Sequence, residues 1–153
     1  MANVERTAEV VWSGTIARGT GMASGGSGAL RELPITLASR FGDPEGKTSP
    51  EELIAAAHAG CFTMALGSVL AGRGTPPERL EVSARVTLET SGAPRIKSSE
   101  LDVHGVVPGT DQVAFDEASR EAGRNCLVSQ ALQGNVEIRV HATLDLRPMS
   151  SVA

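Results

Sequence analysis

The feature that most constrains this chain is the stretch from Leu53 to Gly72, which contains no charged side chain. It meets the crude length of a membrane span. Yet it is diluted by Ala55, Ala56, Ala57, Ala59, Gly60 and Gly67 and by the polar His58, Thr63 and Ser68, and neither end carries Trp or Tyr. A segment of that kind reads as a helix buried on most sides in a soluble domain. Its start is sharply marked in "TSPEELIAAA". Ser49 suits the N-cap, Pro50 the first helical position, and Glu52 at N3 can reach back to the Ser49 amide in a capping box. The glycines and prolines of "GRGTPP" cannot continue a helix, so the spacing predicts one from Pro50 to about Ala71.

The flanking sequence reads as strands and one further helix. "TAEVVWSGTIARGTGMASGGSGAL" mixes β-branched residues with Gly and Ser, which fits strand, turn and strand. "RELPITLASRFG" reads as one more extended segment, with Pro34 placing it at a sheet edge or strand start. After the long helix, "LEVSARVTLET" and "SSELDVHGVVP" alternate apolar and polar residues on either side of the loop "SGAPRIK". "TDQVAFDEASREAGRNCLVSQAL" carries apolar residues near helical spacing, capped by Thr110 or Asp111, and "NVEIRVHATLDL" alternates as a last strand. The order is that of an α+β fold. At 153 residues without an internal repeat, one domain over 1–153 is expected.

A formal net charge of -4 and a pI near 5.4 argue against a nucleic-acid partner, which would require clustered Lys and Arg. Glu5, Arg6 and Glu9 interrupt the first ten residues, so no apolar signal core is present there and a cytoplasmic address, with no membrane partner, is the expectation. In a reducing compartment, two cysteines point to catalysis, redox sensing or burial rather than to a permanent disulfide.

Cys61 follows Glu51, Ile54 and His58 at a 3-4-3 spacing, which puts all four on one stripe of the long helix. A rise of about 1.5 Å per residue separates Glu51 from Cys61 by roughly 15 Å along the axis. Any joint site therefore needs a second, antiparallel copy of the helix or an intermediary such as an arginine. Cys126, in "GRNCLVSQAL", lies on or between the turns of a second helix. Two intracellular thiols on separate helices suit attack on a peroxide, a sulfenic acid, and its resolution to a disulfide. The attacking sulfur must be a thiolate, which burial opposes, so a cation has to compensate. Arg40 and Arg18 are the nearest candidates in chain order, and Glu51 could hold the arginine in a bidentate pair. His58, one turn before Cys61, invites a Cys-His reading but lacks nearby carboxylates on its helix, and packing at the interface or modest tuning of the site is the simpler role. The scattered His58, His104 and His141 do not have metal-ligand spacing, and neither a metal nor another cofactor is expected.

The segment "RFGDPEGKTSPEELIAAAHAGCFTMALG", the later "VPG", "NCLVSQAL" and the N-terminal "WSGTIARGTGMAS" together resemble the osmotically inducible protein C and organic hydroperoxide resistance family of thiol peroxidases, the former branch most. The resemblance implies an OsmC-like fold of antiparallel sheets around long central helices, in an intertwined homodimer. It implies Cys61 as peroxidatic cysteine, Cys126 as resolving cysteine, Arg40 as the thiolate-stabilising arginine and Glu51 as its partner, with arginine and glutamate reaching the site from the neighbouring subunit. It further implies reduction of organic hydroperoxides to alcohols, and an external dithiol reductant, typically a dihydrolipoyl group. Where the family usually has Pro after the second cysteine, this chain has Leu127. A redox sensor or a small-ligand binding dimer on the same fold is the alternative of a different class.

Overall fold

The computed structural model describes residues 2–146. The chain divides into two compact units, Met1–Leu53 and Ile54–Ala153.

In the first unit, β1 (Ala8–Ser13), β2 (Thr20–Gly25) and β3 (Leu33–Ile35) form an antiparallel sheet in the order β1-β2-β3. Pro34 falls on an edge strand, as its missing amide hydrogen requires. Gly21 opposite Trp12 leaves the indole free to lie across β2, because a side chain there would collide with the ring. The segment read as extended throughout departs from that reading after Ile35, where α1 (Leu37–Phe41) begins. The cause is local: Thr36 accepts from the Ser39 amide while the Ser39 hydroxyl is the partner of the Thr36 amide, a complete capping box.

The long helix α2 spans Pro50–Gly72 as its sequence predicts. Ser49 caps it through the Glu52 amide at 3.2 Å. The second half of the expected capping box is not made, because the Glu52 carboxylate takes the Thr48 hydroxyl at 2.7 Å instead. Gly74, at φ +78, lets the chain turn so that the Thr75 amide reaches the Leu70 carbonyl.

In the second unit, β4 (Arg79–Glu89), β5 (Arg95–Val106) and β6 (Glu137–Leu144) form the sheet β4-β5-β6. β4 and β5 make the antiparallel pair, but β5 and β6 run parallel, so this sheet is mixed rather than antiparallel. A parallel pair needs a crossover. Here the crossover consists of α3 (Gln112–Asn125) and α4 (Leu127–Leu132), the expected single helix broken at Cys126. Asp111, not Thr110, caps α3 through the Ala114 amide. The core of this unit collects Phe62, Leu66, Val69 and Leu70 of α2, Leu101 and Val103 of β5, and Phe115, Ala118 and Ala122 of α3. Gly105 keeps β5 bare where the Phe115 ring lies against it.

Helix α2 is not buried on most sides. His58, Phe62, Leu66 and Leu70 form a stripe at helical spacing that is essentially fully buried. Ala57, Gly60, Met64, Ser68 and Ala71 form another that is exposed. Only 28% of the helix's most apolar stretch is buried, although by length and composition the helix is apolar enough to cross a membrane.

Candidate active site

The four residues singled out from sequence fall into two pairs. Arg40, near the end of α1, and Glu51, in the first turn of α2, are brought together within the first unit. The Arg40 Nη2 and Nε both donate to Glu51 Oε1, at 2.8 and 3.0 Å. The pair is therefore held on a single carboxylate oxygen rather than as the expected two-oxygen fork. Glu51 Oε2 is buried and has no hydrogen-bond partner, which leaves it an acceptor with a strong demand for a donor. The guanidinium is 39% exposed and sits 5.7 Å from the centre of the Phe41 ring. Arg18 is exposed in the turn after β1, so Arg40 is the arginine that Glu51 holds.

Cys61 and Cys126 meet in the second unit. Both are free thiols. Cys126 is fully buried in the core, and Cys61 packs against the same core with partial exposure. The sequence put Cys126 on or between the turns of one helix; it occupies the joint between α3 and α4, serving as C-cap of one and N-cap of the other. Its sulfur accepts from the Ser129 amide at 3.5 Å. Burial pushes the Cys126 thiol up, but hydrogen bonds from the Ser129 hydroxyl and amide, from Cys61 and from the Val128 amide outweigh it and leave the thiol below its ordinary value.

His58 is fully buried, with Nδ1 2.6 Å from Ser99 Oγ and Nε2 2.8 Å from Ser129 Oγ. Burial lowers its pKa, so the ring is neutral at neutral pH. The sequence suggested packing at an interface, whereas His58 is packed within the core of its own chain, on two serine partners that went unread. The available signals were Ser129 three residues after Cys126, at capping distance, and Ser99 on the inward-facing side of β5 beside Leu101 and Val103. Among the described residues no cluster of three or more His, Cys, Asp or Glu could hold a metal.

The family model described as OsmC-like protein matches residues 42–141, spanning α2, both cysteines and most of the second sheet. The chain belongs to the OsmC family. Peroxiredoxin OsmC of Escherichia coli is 37% identical over 136 residues, covering 88% of this chain and 94% of that protein. The organic hydroperoxide resistance protein OhrB of Bacillus subtilis superposes with a TM-score of 0.71 at 27% identity, over 90% of this chain and 98% of that one. An OsmC protein of Legionella pneumophila gives 0.73 at 23% identity, covering 94% and 99%, and so supports the fold. This OsmC family member thus shares its α+β architecture with proteins whose names speak of peroxides.

Proposed function

We propose that this OsmC family protein reduces organic hydroperoxides to alcohols with Cys61 as the peroxidatic and Cys126 as the resolving cysteine. The class of enzyme, a cysteine-based peroxidase, rests on the 37% identity to peroxiredoxin OsmC over most of both chains. The observation that carries the assignment of roles is the presence of two free thiols at one core, one partly exposed and one buried. The exposed partner can meet a peroxide, and the buried one can meet only what forms on its neighbour. The Cys61 thiolate attacks a peroxide oxygen, the O–O bond breaks, and the alkoxide leaves as alcohol after taking a proton. Cys126 sulfur then displaces hydroxide from the Cys61 sulfenic acid, and an external dithiol, of which a dihydrolipoyl group is the proposed form, restores both thiols.

Arg40, oriented by Glu51, is the cation proposed to stabilise the Cys61 thiolate and the developing oxygen charge. A second copy of the chain is proposed to complete the site. Support for it comes from α2, whose exposed stripe of small residues around Met64 lets another helix approach closely and whose apolar surface calls for cover. The two units are proposed to work as the one domain assigned to 1–153, in a cytoplasmic homodimer. Phe62 is fully buried, which keeps it out of reach of a substrate that arrives from solvent. Met64, 70% exposed one turn after Cys61, and Ile54, two turns before it, are the residues that favour an alkyl peroxide over hydrogen peroxide.

The test is peroxide consumption with cumene hydroperoxide or hydrogen peroxide and dihydrolipoamide. Native protein is expected to turn over repeatedly with preference for the organic substrate, Cys61→Ser to lose turnover, and Cys126→Ser to stop after one equivalent. Equal efficiency with both peroxides would sink the substrate assignment, and native protein that stops after one equivalent would favour a sensor.

A further inference from the structure

β6 is the last strand in the order β4-β5-β6, so among the described residues one of its edges has no neighbouring strand. Backbone groups point to alternate sides along a strand. The Asp145 amide donates to the Gly105 carbonyl of β5, whereas the next groups back along the chain face the open side and are met by a side chain. Gln112, at the start of α3, accepts from the Leu144 amide at 2.8 Å and donates to the Ala142 carbonyl at 3.1 Å. One glutamine amide thus stands where a peptide group of an added strand would stand. Past it, the same alternation turns the Ala142 amide and both backbone groups of Val140 to the open side. A groove of about 700 Å³ lies there between β6 and α3.

The α3 wall of this groove is positively charged. In the second unit Arg73, Arg79, Arg85, Arg95 and Arg139 each pair with a glutamate. Arg120 and Arg124 line the groove, are exposed, and have no carboxylate partner among the described residues. Two carboxylates of their own helix are engaged elsewhere: Glu121 pairs with Arg73, and Asp116 accepts from Gln112 at the end that the glutamine closes. Arg120 and Arg124 stand one turn apart, about 6 Å along the helix, which nearly matches the roughly 6.8 Å between side chains i and i+2 on one face of a strand. Gly123 leaves the helix bare beside them, since a Cβ at that position would meet nothing within 4 Å. Ser119 lines the same groove at 3% exposure, and its hydroxyl has no hydrogen-bond partner among the described residues. Such a buried hydroxyl is an unmet demand that an entering chain can relieve.

We propose that this groove takes an extended acidic peptide segment as an added strand of the sheet, its backbone paired with β6 beyond Gln112 and its carboxylates at positions i and i+2 on Arg120 and Arg124. Pairing with the edge gives affinity independent of sequence, and the two ion pairs select an acidic segment. Gln112 and Asp116 set the limit of the site, because the amide already fills the edge there and the carboxylate repels a like charge. A backbone meets the observed edge better than a small anion does: Val140 and Ala142 present both donors and acceptors, and an anion has only acceptors.

The experiment uses the full chain and a fluorescein-labelled, C-amidated peptide of sequence Thr-Val-Glu-Val-Glu-Val-Thr. Saturable binding by fluorescence anisotropy is expected. Arg120→Glu combined with Arg124→Glu is expected to weaken it by at least about tenfold, the scale of losing charge-assisted contacts. Gly123→Leu fills the groove at a position with room for a side chain, and is expected to weaken binding to a similar extent without lowering the urea midpoint. At saturating peptide, the Val140 and Ala142 amides, resolved by NMR, are expected to exchange with solvent at least about tenfold more slowly. Absence of binding would overturn the proposal, and so would binding that leaves both exchange rates unchanged, which is charge attraction alone. Glutarate that competes as well as the unlabelled peptide would overturn it in favour of a small organic anion. Val140 and Ala142 amides already protected in the protein without peptide would overturn it in favour of a second copy of the chain on this edge.

Discussion

The Arg40–Glu51 pair and the Ser99–His58–Ser129 line solve opposite problems of charge. The first is a formal ion pair with a partly exposed guanidinium on a buried glutamate. The second carries no formal charge on its ring or hydroxyls and is sealed in the core. An exposed cation can be aimed at a substrate and remain hydrated on its far side, so its loss is felt in rate more than in folding. A buried neutral line has no such slack, since each hydroxyl or ring nitrogen left unpaired carries its full desolvation penalty. The lesson is that polarity in the two units is divided by solvent access: charge where solvent reaches the side chain, and neutral hydrogen bonds where the core seals it.

The sharpest way to break this contrast is Arg40→Met made together with Glu51→Gln, so that no buried carboxylate is left unpaired. Peroxidase activity, measured as kcat/KM with cumene hydroperoxide, is expected to fall by about 100-fold, the scale of removing one aimed electrostatic donor, with little change in the urea midpoint. His58→Leu should do the reverse in the stability assay. Two buried serine hydroxyls lose their partner, and chemical unfolding is expected to register a loss of about 2 kcal/mol. A large activity loss in the first variant accompanied by an equal stability loss would erase the distinction.

Acid provides a smaller and subtler test. The folded protein resists protonation of His58, whereas the unfolded chain accepts a proton near the ordinary histidine value of about 6.5. Below that pH the unfolded state binds more protons, so stability contributed by the neutral ring is present above about 6.5 and is lost as pH falls toward the lowered native value. Melting temperature should therefore decline below about pH 6.5, and the decline should flatten in a folded His58→Gln variant. The smallest expected effect is that of salt. Raising ionic strength from 0.1 to 1 M shortens the Debye length from about 10 to about 3 Å and should lower kcat/KM by less than about twofold through the exposed side of Arg40. The ionisation midpoint of Cys126 in Cys61→Ser protein, followed by the ultraviolet absorbance of the thiolate, should stay in place.

Local rules settled much of this protein before any packing was known. Ser49 and Pro50 mark the start of α2, the glycines after it mark the end, and the alternation along β4 and β6 identifies the faces of those strands. Such features depend on neighbours in sequence, because capping, missing amides and side-chain periodicity act over a few residues. The pairing of Glu51 with an arginine and the kinship carried by the two cysteine segments were also legible, since they reside in residue identity and order.

Tertiary structure decided what depends on residues far apart. The break at Cys126 follows from its sulfur accepting from Ser129 and seating in the core, a balance that periodicity across the whole segment conceals. The parallel pairing of β6 with β5 depends on where the α3–α4 crossover returns the chain, which no property of either strand announces. Above all, Ser99 and His58 stand 41 positions apart, and His58 and Ser129 71 apart. A serine has no sequence signature that reveals which buried nitrogen it will meet, because hydrogen bonds are formed by distance in space, and only the packed core sets that distance.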